Sequence, residues 1–393
     1  ITLEQGKPLQ EARGEVAKAC GEARLMVSLA ARLQGELMPS ARPGIRNMVN
    51  HRPRGVIAAI TPWNFPILTP MRKIAPALVF GNAIIVKPSE FTPATACLVA
   101  EVARGILPDG LLQLVLGDGA VASRLLTTPG VDGVTFTGSV ATGKKIYAAA
   151  AQNLAEISLE LGGKNAAIVN DTDDVAGTLD QIANAAYMCA GQRCTAISRV
   201  IVQRGLRDTV LDGLCERAQG IVLGDGLQPG VQMGPLTNER QLKTVTAMVD
   251  MGIAEGATAQ IGGRPAKVAS LASGYFYAPT VLANVKPTMD VARNEIFGPV
   301  ISVLDYDTVD EAIDILNGVD YGLTSALFSN DNRVIQRFID ESENGMLHVN
   351  HGTIPDNHMP FGGIKHSGVG AYSVGPSAMS FYTTEHSVYV KYL

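Results

Sequence analysis

Three side chains in this 393-residue chain have the type and surroundings to act on a carbonyl group. Cys194 lies in Gly191-Gln192-Arg193-Cys194-Thr195-Ala196-Ile197, a loop-like stretch of small and polar residues ahead of a β-rich run. A thiolate is a strong nucleophile, and Arg193 beside it supplies the positive field that favours the thiolate. Taken alone, such a cysteine reads as inert core packing, and Cys20, Cys97, Cys189 and Cys215 keep that reading. Glu160 stands 34 residues earlier, in Leu159-Glu160-Leu161-Gly162-Gly163-Lys164-Asn165, at the end of an apolar run. Burial there raises a carboxylate's pKa and suits it to take a proton from water; a carboxylate ion-paired at a sheet edge is the other reading. Asn64, in Thr61-Pro62-Trp63-Asn64-Phe65-Pro66, offers an amide N–H to an oxyanion, or else shapes a turn. A thiol that adds to a carbonyl, an amide that steadies the oxyanion and a carboxylate that activates water amount to acyl chemistry through a thioester.

Loops carry Cys194 and Asn64, a strand end carries Glu160, and the surrounding pattern supplies the frame. Short β-rich runs at 56–60, 83–86, 112–116, 131–136 and 157–161 each end in a turn or polar loop. Helical patterns at 69–79 and 92–106 separate them. Such alternation predicts a parallel sheet with helices on both faces and ligands outside the carboxyl ends of the strands. Residues 1–31 read as helix through Val16, Leu25, Val27 and Leu29, and 35–54 as a strand or connecting arm. From about residue 164 a second α/β unit begins, with a helix over 175–190 and a strand over Arg199–Gln203. Residues 380–393 alternate and are rich in Tyr and Val, a strand that needs a partner, expected on another subunit.

Read in this order, the three segments resemble the NAD(P)-dependent, non-acylating aldehyde dehydrogenase superfamily, which keeps the same 34-residue separation between nucleophile and base. The resemblance covers essentially the whole chain and is nearest in flavour to the semialdehyde dehydrogenases. It implies an α/β fold of two parallel-sheet domains: a Rossmann-like cofactor domain from 1–34 and 54–162, and a catalytic domain from 163–378. A small oligomerisation element combines 35–53 with 379–393. It also implies that residues 1–8 are ordinarily preceded by a further stretch completing the cofactor domain. On this reading Cys194 adds to an aldehyde, and Asn64 with the backbone N–H of Cys194 holds the oxyanion. Hydride passes to the nicotinamide, and water activated by Glu160 hydrolyses the thioester. Relatives that pass the acyl group to coenzyme A are expected to lack this glutamate.

The GxGxxG fingerprint of dinucleotide binding is absent from its usual strand–turn–helix place. Instead Phe136-Thr137-Gly138-Ser139 ends a β-rich run and opens a helix, which suits either a phosphate site or a plain Ser139 N-cap. By resemblance, Lys87 and Glu90, flanking Ser89, hydrogen-bond the adenosine ribose, and Gly117 lets the backbone pass the adenine. Glu295 grips the nicotinamide ribose, Phe297 backs the ring and Gln241 adds a ribose contact. Ile60, Thr61, Pro62, Trp63, Thr137, Gly138, Ser139 and Leu161 complete the expected cofactor site. An acid at Glu90 repels a 2′-phosphate, so NAD is expected ahead of NADP.

Arg72 follows Asn64 by eight residues, where succinic semialdehyde dehydrogenases carry an arginine for the substrate carboxylate. With Arg193 it would select a short anionic semialdehyde, although Arg72 also suits a helix-surface ion pair. Met188 stands where those enzymes place another arginine. The alternatives are a neutral aliphatic or aromatic aldehyde, or an inactive NAD-binding homologue. Segment 348–358 is expected to line the pocket; its histidines His348, His351 and His358 fit no tetrahedral spacing, so no metal is expected.

A formal net charge of −5 argues against nucleic acid or an anionic membrane as partner. No apolar run reaches the roughly 20 residues of a membrane span, and Ile1 opens no basic-then-apolar signal segment. Five cysteines without a CxxC pair point to free thiols in a reducing, cytoplasmic setting. The expected partners are a small aldehyde and further copies of the chain, as a homodimer or homotetramer.

Overall fold

The computed structural model describes residues 1–268, 271 and 273–392. The chain forms two compact units, one of residues 1–14, 161–355 and 362–368, the other of 15–160, 356–361 and 369–393. They are called here the Cys194 unit and the Glu160 unit.

The Glu160 unit is built on parallel strands in the order Glu156–Glu160, Gly133–Thr137, Val56–Ile60, Ala83–Lys87, Leu112–Leu114. Val, Ile and Ala fill Val56–Ile60 and nearly fill Ala83–Lys87, as sheets covered on both faces require. Register matters most here. Ile60 pairs with Lys87 and Phe136, and Thr137 with Glu160, so Ile60, Lys87, Thr137 and Glu160 finish together at the carboxyl edge. Helix Leu68–Val79 turns Ile74, Ala75 and Ala77 into a core with Ile57, Ile84, Phe80 and Phe381. A separate antiparallel sheet joins Glu36–Met38, Ile45–Pro53 and Thr383–Lys391. The terminal strand thus finds one partner in its own chain, and Leu393 lies outside the described residues.

The Cys194 unit carries a seven-stranded sheet in the order Thr258–Ile261, Thr280–Ala283, Val300–Tyr306, Arg199–Gln203, Ala166–Asp171, Thr324–Ser329, Met346–Val349. All pairs are parallel except the first. Cys194 precedes Arg199–Gln203, so its loop lies at the amino ends of the strands of this sheet.

Two expected helices are cut short. The 1–31 helix breaks into Thr2–Gln5 and Leu9–Ala30, because Gly6 adopts φ 96°, where a Cβ would press on Pro235. The 175–190 helix ends at Tyr187, because Cys189 and Ala190 turn left-handed ahead of the Cys194 loop. Cys20, expected in the core, is exposed on the outer face of Leu9–Ala30. Among the described residues no helix is long and apolar enough to cross a membrane.

Candidate active site

Glu160 closes its strand and is only 5% exposed. Burial raises its pKa first of all; Lys73, then Arg72 and the N–H and hydroxyl of Ser373, pull the other way. Its Oε2 accepts no hydrogen bond among the described residues. Lys73 is 1% exposed, donates to Thr135 Oγ1 at 2.8 Å, and has its pKa lowered by burial against the attraction of Glu160. The two groups therefore resist charge individually and favour it in each other. The sequence reading missed Lys73, although a Lys beside Arg72 in an otherwise apolar helix was the available signal.

Helix Leu68–Val79 owes its placement to acids of Leu9–Ala30. Glu15 Oε1 accepts the N–H groups of Ile67 and Leu68 at 2.9 and 3.1 Å, satisfying two donors at the helix start. Glu22 takes Arg72 in a fork of two 2.7 Å bonds. The Arg72 guanidinium also lies 4.3 Å from the Phe361 ring centroid. Asn64 is buried in the loop before this helix.

Along the same carboxyl edge, Lys87 Nζ donates to the carbonyls of Pro88 and Gly117 at 2.6 Å each and stands 3.9 Å from Glu90. Gly117 has φ 147°, and a Cβ there would strike Val121. Ser139 Oγ caps Val140–Ala150 by accepting the Thr142 N–H at 3.3 Å, and Gly138 sits over the Phe136 ring. Thr61 Oγ1 is buried without a hydrogen-bond partner among the described residues.

In the other unit, Cys194 is partly exposed on a loop pinned at both sides. Asn165 Nδ2 donates to the carbonyls of Cys194 and Ala196 at 2.7 and 2.9 Å, and Thr353 Oγ1 to that of Thr195 at 2.6 Å. Gly163 must be glycine, since a Cβ would meet Asn165 Oδ1 at 2.6 Å and the Cys194 carbonyl at 3.1 Å. Arg193 is buried, its guanidinium on Met188 Sδ and Thr195 Oγ1. Glu295 Oε1 accepts the Gly163 N–H at 3.1 Å, and desolvation lifts its pKa to about 7. Lys164 beneath it is lowered to about 7 by burial, then by Arg199, with Glu295 opposing. Gln241 donates to the carbonyls of Ile296 and Phe297 at 3.2 and 2.8 Å, and Phe297 itself has φ 56°. His348 and His351 stack with Nδ1 atoms 3.3 Å apart; no group of three metal-binding side chains occurs among the described residues. Leu161, expected at the cofactor, donates its N–H to the Ser367 carbonyl.

A partly exposed thiol on a pinned loop and a buried, charge-resisting carboxylate are what thioester chemistry asks for. The model of the aldehyde dehydrogenase family matches residues 1–388. The chain belongs to the aldehyde dehydrogenase family. It is 37% identical to the alpha-ketoglutaric semialdehyde dehydrogenase of Bacillus subtilis, over 99% of this chain and 80% of that protein. It is 40% identical to the mitochondrial succinate-semialdehyde dehydrogenase of Arabidopsis thaliana, over 94% of this chain and 70% of that one. A crystal structure of betaine aldehyde dehydrogenase from Staphylococcus aureus in complex with NAD+ superposes with a TM-score of 0.97 at 35% identity, covering 99% of this chain and 77% of that one. As a member of this family the chain is an oxidoreductase acting on aldehydes, with the α/β fold of its solved relatives.

Proposed function

We propose that the chain oxidises an aldehyde to a free carboxylic acid with NAD, through a thioester on Cys194. The observation that carries the hydrolytic reading is Glu160, a carboxyl buried at a strand end and pushed above the usual carboxylate range. The Cys194 thiolate adds to the aldehyde carbon, and the carbonyl oxygen takes up negative charge. The Asn64 amide and the Cys194 backbone N–H donate to that oxygen. Once the former aldehyde hydrogen has departed as hydride and left a thioester, Glu160 takes a proton from water as the water oxygen attacks the thioester carbon, and the thiolate leaves. Lys73 helps Glu160 stay ionised at the start of that step.

NAD, bound to relatives such as the Staphylococcus aureus enzyme, supplies the hydride acceptor. The side chains here fit it. The unpartnered Thr61 hydroxyl, the Val140–Ala150 N-terminus and Lys87 offer donors to phosphate and ribose. Glu90 beside Lys87 disfavours a 2′-phosphate, which supports NAD over NADP. Ile60, Pro62, Trp63, Ser89, Thr137, Leu161, Gln241, Glu295 and Phe297 are assigned to the same cofactor.

A short anionic semialdehyde is the first choice of substrate, supported by the two relatives named for semialdehydes. A neutral aldehyde is the second, favoured by the fork of Arg72 on Glu22 and by the burial of Arg193, which engage both cations within the protein. Residues 1–34 and 54–162 are assigned to the cofactor domain, 163–378 to the catalytic domain and 35–53 with 379–393 to the oligomerisation element, and the chain works as a dimer or tetramer through the open edge of Thr383–Lys391. NADH formation with succinic semialdehyde, butanal and benzaldehyde tests the reading. Preference for the semialdehyde, lost in Cys194→Ala, supports it; turnover surviving in Cys194→Ala overturns it.

A further inference from the structure

Helix Leu9–Ala30 carries Glu11 in its first turn, and Glu11 Oε2 accepts the backbone N–H of Cys189 at 2.8 Å. Cys189, Ala190 and Gly191 are all left-handed, with φ of 57°, 53° and 69°. Two of these carry a Cβ, so the turn is strained and persists only because its surroundings hold it. A Cβ on Gly191 would run into the Gly298 carbonyl, which closes one side. Gln5 Nε2 reaches Cys189 Sγ at 3.4 Å and Thr237 Oγ1 at 3.2 Å. Gln192 donates to the Cys189 carbonyl and accepts the Thr237 N–H, each at 3.0 Å. The strained turn leads directly into Arg193 and Cys194. The charged or titratable groups acting on the buried Arg193 guanidinium are Cys194, Cys189 and Glu11.

We propose that Glu11 is a positioning residue for the Cys194 thiol, clamping the left-handed turn that aims it and balancing the Arg193 charge beside it. Hydrogen-bond geometry and backbone strain carry this; it rests on Cys194 being the nucleophile. Two consequences separate it from simple packing. Loss of the clamp lets the turn relax and misaims the thiol. Loss of the charge alone removes the Glu11 carboxylate that offsets the Arg193 charge, which favours the thiolate.

The test is alkylation of Cys194 by iodoacetamide against pH in the full chain, read by peptide mass spectrometry, with kcat, KM for NAD and circular dichroism alongside. Glu11→Ala is expected to slow alkylation and kcat at least about tenfold, with KM for NAD within about twofold, since small misplacements of a reacting group are costly. Glu11→Gln keeps an oxygen for the Cys189 N–H. It is expected to recover most of the rate while moving the alkylation midpoint to lower pH. Wild-type rate and midpoint in both variants would overturn the proposal, as would an unmoved midpoint in Glu11→Gln if Glu11→Ala does not fold. Cys194→Ala is the separate control: undiminished turnover there refutes the nucleophile assignment, whatever Glu11 does to the thiol.

Discussion

At the scale of single residues, charge accounts for most of the chemistry proposed. Glu160 is raised by burial and held back by Lys73, so the group that takes a proton from water titrates above an ordinary glutamate. When thioester hydrolysis limits turnover, kcat therefore rises with pH along a limb well above pH 4.5, and Glu160→Gln abolishes that limb. The sign for Lys73 comes from opposite charge favouring ionisation: Lys73→Met raises the Glu160 pKa further and moves the limb to higher pH. A pH–rate profile showing the limb unmoved or displaced downward in that variant would exclude the pairing. Asn64→Ala should lower kcat by about 10²–10³-fold, the usual cost of one oxyanion donor, with little change in NAD affinity. Equal losses in kcat and in NAD binding, measured by steady-state kinetics and calorimetry, would make Asn64 structural.

At the scale of elements, acids of Leu9–Ala30 organise helix Leu68–Val79 and the turn before Cys194. Glu15 satisfies two N–H groups at the start of Leu68–Val79. Glu15→Ala should cost about 1–2 kcal/mol in chemical denaturation, as lost caps do, and should lower kcat because Lys73 rides on that helix. Gly191→Ala brings a Cβ onto the Gly298 carbonyl at a left-handed position, so it should lose stability and thiol reactivity together. The strands were readable in the sequence because apolar β-rich runs ending in Gly, Pro or polar turns leave few alternatives, and Val56–Ile60 and Arg199–Gln203 fall where expected. The breaks were not. Gly6 gave a hint, but nothing local marks Cys189 and Ala190 as left-handed, because Glu11 and Gln5, far away in sequence, impose that turn. The family's motif residues were legible because spacing in sequence reveals a motif; the partners of Lys73, Glu15 and Glu22 lie on other elements and appear only in three dimensions.

At the scale of the whole molecule, the register of the Glu160 unit gathers Ile60, Lys87, Thr137 and Glu160 at one carboxyl edge, as open α/β sheets do around their ligands. The seven-stranded sheet of the Cys194 unit presents the thiol from the amino side of its strands. The terminal strand has its outer edge open among the described residues, with Tyr389 and Tyr392 exposed. Light scattering is expected to give a dimer or tetramer, reduced to single chains by Val388→Pro; a wild-type monomer would exclude the assembly. Central to the proposed chemistry is a thioester at Cys194 that Glu160 releases. Intact-protein and peptide mass spectrometry of Glu160→Gln, mixed with NAD and an aldehyde that the wild-type chain oxidises, tests it most directly. One acyl group per chain, on the peptide containing Cys194, is the predicted result; no adduct, or a variant that turns over as fast as wild type, would contradict it.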